Sequence, residues 1–302
     1  MERDRLYYKD EKGVFRKLPD MSLISANTEA KMAIEGTSQF VERHLGFGDS
    51  QYPDTDMEAV DAILNLNRDF KATHLWLMGD MTNATTLSNK YGYPADYHFS
   101  FWDEIRGTRE LLKHIAEEAR KANPEVNIHY LEGNHEQRLQ RYIDRNADQL
   151  AELEDAKGER ILGMESLLNL KDLRINWTPY WEDDELSRDV IILHGNIARI
   201  KSGYTGQAYI DRYGKSTIAG HDHRLGLVFR TQSGEVKFGI ETGSTCQRKM
   251  LVPYTRENQT DWQEGAFMVG IDKDGDAFPA VMPIVNGKIA FGLNVYEGTG
   301  HE

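Results

Sequence analysis

Five short apolar runs end in residues that can hold a metal ion or move a proton. They are Asp49-Ser50-Gln51, Gly79-Asp80, Gly133-Asn134-His135-Glu136, His194-Gly195 and Gly220-His221-Asp222-His223. Carboxylates, amide oxygens and imidazoles suit Mn, Fe, Mg or Zn, and no thiolate is available to build a soft site. A carboxylate can bridge two ions. His221 and His223 stand two apart, so on an extended chain both project to one side and Asp222 to the other. Gly79, Gly133 and Gly220 let the backbone turn sharply beside a ligand.

The elements that must position these residues are legible from periodicity. RHLGFGD ends at Asp49. A helix over about 56–69 follows, with Met57, Val60, Ile63, Leu64 and Leu66 at helical spacing. Strands are expected at 73–78, 126–131, 190–193 and 216–219, and helices at 101–121, 136–155 and 204–213. This alternation is the mark of βαβ units. In such sheets the strand C-termini converge on one crevice, where ligands bind. Beyond residue 225 the chain turns β-rich, with hairpin chemistry at Ser233-Gly234, Asp274-Gly275 and Asn286-Gly287. Residues 1–41 read as an irregular N-terminal extension with one short strand near Met21–Ile24. Residues 42–302 read as one domain, since no Pro/Gly-rich linker divides them.

The order D-x-Q, G-D, G-N-H-E, H-G, G-H-x-H resembles the calcineurin-like metallophosphoesterase family over roughly residues 42–245. Ser202–Gly220 and Asp261–Phe267 look most like its phage and prophage members. The resemblance implies a four-layer α/β/β/α sandwich, two mixed β-sheets flanked by helices. It implies one metal held by Asp49, Gln51, Asp80 and His223, and a second held by Asp80, Asn134, His194 and His221, with Asp80 as the bridge. His135 would face the scissile phosphate as proton donor, with a metal-bridging hydroxide attacking phosphorus. The ions would be two divalent metals, Mn²⁺ ahead of Mg²⁺, Fe or Zn²⁺. Two ions about 3.5–4 Å apart can generate hydroxide near neutral pH and neutralise phosphoryl oxygens.

One position departs from the family pattern. Its first motif usually carries His where this chain has Gln51. An amide oxygen is a harder, neutral donor and shifts preference towards Mn²⁺ or Mg²⁺. Ser25-Ala26-Asn27-Thr28 imitates a degraded first motif, but spacing decides against it. Asp49 lies 31 residues before Asp80, one strand–helix–strand unit. Glu136 is expected to fix His135 or a ligand from behind. Arg138 is a candidate for bidentate contact with a phosphate oxygen, and Arg224 is a second one.

Composition bounds the rest. The 302 residues carry 36 Lys+Arg against 49 Asp+Glu, a net charge of −13. That argues against sequence-independent clamping of duplex DNA, which needs basic surface. The single cysteine, Cys246, excludes an intramolecular disulfide and reads as a small buried filler. No apolar run approaches the roughly 18 residues of a membrane span, and the N-terminus lacks a secretory h-region. The expected location is the cytoplasm, of the host if the chain is phage-encoded. His44, His74 and His129 read as structural, and His114 as a helix residue without a visible partner. Asp96-Tyr97-His98 spells D-x-H but follows the bridging Asp, so it is read as part of a substrate rim. Arg138, Arg141 and Arg145 fit a solvated helix face, and Trp177, Tyr180 and Trp181 fit core or cap packing better than base stacking. The expected activity is phosphodiester hydrolysis on nucleotides or single-stranded nucleic acid. Two alternatives stay open: a phosphoprotein or phosphomonoester phosphatase, and a catalytically degenerate metal-binding scaffold.

Overall fold

The computed structural model describes residues 7–9, 15–17, 39–88, 98–158, 160–247 and 261–299. The chain divides into two compact units, Met1–Phe40 and Val41–Glu302. In the first, β1 (Tyr7–Lys9) and β2 (Phe15–Lys17) form an antiparallel ribbon, Tyr8 opposite Arg16. That ribbon departs from the irregular extension expected there. The strand expected near Met21–Ile24 and the Ser25–Thr28 imitation lie outside the described residues.

The second unit is built on two sheets. Strand β3 (Phe40–Phe47) leads through helix α1 (Met57–Phe70) to β4 (His74–Leu77). Helix α2 (Phe101–Ala122) leads to β5 (Asn127–Leu131). Helix α3 (Gln137–Asn146) and the short α4 (Met164–Leu167) precede β6 (Ile175–Thr178). Strands β3, β4, β5 and β6 pair in parallel, His44 beside His74 and His74 beside Asn127. The sheet continues on its other side through β12 (Gly265–Asp272), β13 (Ala277–Val285), β14 (Lys288–Phe291) and β15 (Asn294–Glu297), the last four joined as antiparallel hairpins.

The smaller sheet has the order β10–β11–β9–β8–β7. It comprises β7 (Asp184–Ser187), β8 (Val190–Leu193), β9 (Ser216–Ala219), β10 (Leu225–Gln232) and β11 (Glu235–Thr242), with α5 (Tyr204–Tyr213) between β8 and β9. β8, β9 and β11 run parallel, whereas β7 and β10 pair antiparallel at the edges.

Three apolar layers show how the sheets stack. Leu45, Phe47, Leu75, Leu77 and Ile128 pack on Val60, Ile63, Leu66, Ile105 and Leu112 of α1 and α2. Trp76, Met78, Phe267 and Val269 of the large sheet meet Val190, Ile192, Ile218 and Ile240 of the small one. Ile191, Leu193 and Ala219 face Tyr209 of α5. The order is therefore helix, sheet, sheet, helix, the expected four-layer α/β/β/α arrangement with two mixed sheets.

Local chemistry sets the helix ends that feed the site. Asp56 caps α1 by accepting from the Ala59 N–H, and Ser100 and Asp103 form a reciprocal capping box on α2. Helix α5 covers the expected residues 204–213 and is flanked by Gly203 and Gly214, both left-handed. Helix α3 stops at Asn146, nine residues short of the expected end. Ala147 swings to φ −158°, and the Asp148 carboxylate takes the Gln149 N–H that a continuing helix would have used.

Candidate metal centre

All five polar run ends meet at the C-terminal ends of β3, β4, β5, β8 and β9. The backbone there is unusual: Asp49, Gln51, Asp80, His221 and His223 all have positive φ, between 49° and 74°. Non-glycine residues rarely adopt this conformation, and clusters of it mark functional sites. The first and second loops are laced together by backbone bonds, Asp49 N–H to Gly79 O and Gln51 N–H to Asp80 O, each 2.9 Å. The extended geometry assumed for Gly220–His223 is absent. Left-handed turns at His221 and His223, rather than strand alternation, bring both imidazoles to the site.

The side chains form two groups. In the first, His223 Nε2 lies 3.3 Å from Asp49 Oδ1 and 3.2 Å from the Gln51 amide nitrogen. In the second, His194 Nε2 lies 3.5 Å from Asp80 Oδ1 and 3.3 Å from Asn134 Oδ1. Ligand atoms of Asp80, His194 and His221 all fall within 4.8 Å of one another. The groups touch through Asp49, whose Oδ2 accepts the His221 N–H at 3.1 Å.

This donor set fits cations better than it fits protons. One proton on His223 Nε2 can serve the Asp49 carboxylate or leave a lone pair for the Gln51 amide N–H, never both. Asp49 Oδ1 and His221 Nδ1 are buried without a hydrogen-bond partner. His194 Nδ1 sits 2.7 Å from the Met78 carbonyl and must donate to it, which leaves Nε2 as a lone-pair donor facing Asp80 and Asn134. A cation at each group would take lone pairs from Asp49 Oδ1, His223, His194 and His221, with the Gln51 amide turned to offer its oxygen in place of its nitrogen. Cys246 Sγ approaches His223 Nδ1 at 3.8 Å, behind the ring rather than among the ligand atoms. It is buried, and the indole of Trp262 lies 4.5 Å from the same ring.

Electrostatics follow the same division. Burial opposes ionisation of Asp80, yet His135 and His194, the His135 N–H and His221 hold its carboxyl well below the usual range. Burial likewise opposes a charge on His223, but Asp49 outweighs it and raises the imidazole well above its ordinary value. His221 is lowered by burial and by His194.

Glu136 is fully buried and ligates nothing. Its Oε2 accepts the N–H groups of Asp80 and Gly133, each at 2.9 Å. Its Oε1 accepts those of Met81 and Thr82 and the Tyr130 hydroxyl. Five donors fix the β4 and β5 loops as one body. Gly133 is obligatory beside it, because a Cβ there would stand 2.1 Å from Asp80 Oδ1. Burial and the Asp80 charge push the Glu136 carboxyl up to about 7 despite the donors.

His135 and Arg138 are coupled. Arg138 Nη2 donates to His135 Nε2 at 2.8 Å, while its Nη1 holds the Asn83 carbonyl at 2.6 Å. The His135 proton is therefore on Nδ1, and burial lowers the ring to about 3. Arg138 thus leaves the solvated face expected of it. Arg224 does not reach the site, since its guanidinium goes to the Ile200 and Asp222 carbonyls and to Asp261. The Asp222 carboxylate accepts the Arg224 N–H at 3.0 Å, and burial and Glu241 raise it to about 7.

The Asn83 and Met78 carbonyl contacts had no sequence signal, since every residue carries the same carbonyl. His98 lines a separate cavity with Tyr52 and Phe99; Asp96 and Tyr97 lie outside the described residues. His114 has a partner after all, donating to Asp61 Oδ1 at 2.8 Å and tying α2 to α1.

A second cluster, Glu42, His44 and His74, also brings ligand atoms within 4.8 Å. It lies at the opposite ends of β3 and β4 and is built differently. Trp76 Nε1–H donates to His44 Nδ1 at 3.1 Å, so the ring proton is on Nε2 and goes to Glu42 Oε2 at 3.0 Å. That nitrogen has no lone pair for a metal. His74 and His129 are bonded at 3.1 Å, and His44, His74, His129 and Trp76 stack ring on ring. These histidines are structural.

The chain is 24% identical over 266 residues to the Gene 54 protein of Mycobacterium phage D29, covering 85% of this chain and 99% of the phage protein. It is also 24% identical over 277 residues to the Gene 54 protein of Mycobacterium phage L5, with the same coverage. No family model matches it. Among solved structures, Chaetomium thermophilum Vps29 aligns over 86% of this chain and 98% of its own, at 12% identity and a TM-score of 0.33. That score is too low to bear on the fold, which rests here on strand order and layering. No helix among the described residues is long and apolar enough to cross a membrane.

Proposed function

We propose that this chain is a calcineurin-like metallophosphoesterase that hydrolyses phosphoesters with two divalent ions, and that its substrates are diesters before monoesters. The observation that carries the reading is the convergence of Asp49, Gln51, Asp80, Asn134, His194, His221 and His223 into two adjoining groups in which Asp49 Oδ1 and His221 Nδ1 are buried without a hydrogen-bond partner. Asp49, Gln51 and His223 would hold one ion, and Asn134, His194 and His221 the other, with Asp80 shared. When bound, such ions supply Lewis-acid neutralisation of phosphoryl oxygens and a lowered pKa for water. Oxygen and imidazole donors suit Mn²⁺, with Mg²⁺, Fe and Zn²⁺ as alternatives.

In the overall step a water oxygen bonds to phosphorus. The ester P–O bond breaks with its pair on the leaving oxygen, which then takes a proton. Arg138 would donate to a phosphoryl oxygen in place of its bond to His135. In doing so it would release the lone pair of His135 Nε2, the ring atom 3.7 Å from Asp80 Oδ2, to take the proton that the attacking water loses and pass it to the leaving oxygen. Glu136 keeps Asp80 and the Asn134 loop in register through every turnover. The phage relatives agree with a role in the host cytoplasm.

The test is hydrolysis of a generic phosphodiester and a generic phosphomonoester with Mn²⁺, beside Asp80→Asn and with metal content measured. Mn²⁺-dependent cleavage that Asp80→Asn abolishes supports the proposal. A second reading, a scaffold that binds metal without turnover, is favoured only by Gln51 standing where the family pattern has His. Two ions bound with no cleavage of either ester would select it.

A further inference from the structure

The rim beside His194 carries an aromatic surface that core packing does not use. Trp177 is absorbed by the fold, its ring 5.1 Å from Tyr130. Trp181 is not: it is 76% exposed. Tyr180 braces it in a T-shaped contact, with ring centroids 4.8 Å apart at 83°, and most of the indole stays open to solvent. Tyr180 itself lies 6.4 Å from the His194 ring, so two ring-to-ring steps lead from a ligand of the centre to the exposed indole. Tyr180 is anchored, because its N–H goes to Glu132 Oε2 at 2.9 Å and its side chain is hydrogen-bonded to Arg141. Arg141 is exposed and lies one helical turn beyond Arg138 on α3. An anchored ring supporting an exposed indole, flanked by a guanidinium, next to a phosphoester site, is what a stacking nucleobase requires. A phosphorylated serine or threonine has no aromatic group to place there.

We propose that Trp181, braced by Tyr180, is the platform on which the substrate's nucleobase stacks, so that the substrate class is a nucleoside phosphoester rather than a phosphoprotein. This rests on the phosphoester reading of the metal centre and adds a specificity-determining residue to it.

Two diesters with the same leaving group separate the platform from the chemistry: thymidine 5′-p-nitrophenyl phosphate and ethyl p-nitrophenyl phosphate. The wild type is expected to favour the nucleoside ester by about tenfold or more in kcat/KM, mainly through KM. Trp181→Ala should erase that preference while leaving the ethyl ester within about twofold of wild type, and Trp181→Phe should keep most of it. No preference in the wild type, or an equal loss on both esters in Trp181→Ala, overturns the proposal. If neither ester is cleaved, the phosphoester reading fails and the platform is judged by fluorescence alone. Saturable tryptophan quenching by adenosine 5′-monophosphate, absent with inorganic phosphate and lost in Trp181→Phe, would uphold it. No quenching, or unchanged quenching in Trp181→Phe, would sink it.

Discussion

Asp80 and Glu136 are both buried carboxylates, yet one faces the ligands and the other faces the backbone. Spacing identifies Asp80, because a Gly-Asp pair at a strand end in the right order has few other uses. The Glu136 role was legible only in outline, since four of its five donors are backbone N–H groups. Glu136→Gln places an NH₂ against at least one of those N–H groups. It should cost about 3 kcal/mol in denaturant unfolding and weaken Mn²⁺ binding by about 10–100-fold. Unchanged Mn²⁺ titration in that variant would show that the two loops stay in register without it. Gln51→His adds an imidazole to the first group and should tighten Zn²⁺ relative to Mn²⁺ by about tenfold, read by competition titration. The His135–Arg138 pairing was not legible, because sequence shows that both exist one turn apart but not that Arg138 turns inward.

Elements explain why the ligands arrive together. Parallel β3, β4 and β5 and parallel β8 and β9 present their C-terminal ends on one side, and helices return the chain between them. The opposite ends of β3, β4 and β5 carry the His44, His74 and His129 stack. Burial lowers His44 to about 3 and His129 to about 4, and lowers His74 as well. A depressed histidine favours the native state only while it is neutral. That stability is complete above the unfolded value near 6.5 and is lost as pH falls towards 3–4. Each such group contributes about 1.4 kcal/mol per pH unit within the window, less for the part-exposed His74. Urea unfolding of the metal-free protein at pH 7.5, 6.0 and 5.0 should therefore show a pH slope that His44→Gln reduces by about one proton. An identical slope in the variant would mean that His44 titrates normally. Packing of α5 on β11 depends on two facing glycines, and a Cβ on Gly239 would stand 2.7 Å from the Gly206 backbone. Gly239→Ala should destabilise by about 2 kcal/mol, because backbone cannot step aside as a side chain can. Helices α1, α2 and α5 were readable from periodicity and caps. Strands β6 and β7 were not, because they are short, half-exposed and defined by their neighbours.

Across the whole molecule, the net charge of −13 acts on any anionic substrate before contact. Added salt screens that repulsion, so kcat/KM for an oligonucleotide should rise between about 20 and 150 mM ionic strength. A steep fall instead would reveal counterion release at a basic track. Binding of divalent ions to the native state alone should raise the unfolding midpoint, each ion adding about 2.7 kcal/mol to the unfolding free energy at a hundredfold excess over its Kd. What the amino-acid order determined by itself was the set of candidate ligand types, their succession at strand ends and the helix–sheet alternation, because these are encoded in local periodicity and in residues with few alternative uses. What only the tertiary structure decided was which atoms face one another. The left-handed turns at His221 and His223, the Met78 carbonyl that sets the His194 tautomer, the Trp76 indole that closes His44 to metal and the exposure of Trp181 each arise from contacts between segments far apart in the chain. No local pattern encodes such contacts, because they exist only once two sheets have packed and the backbone has chosen its partners.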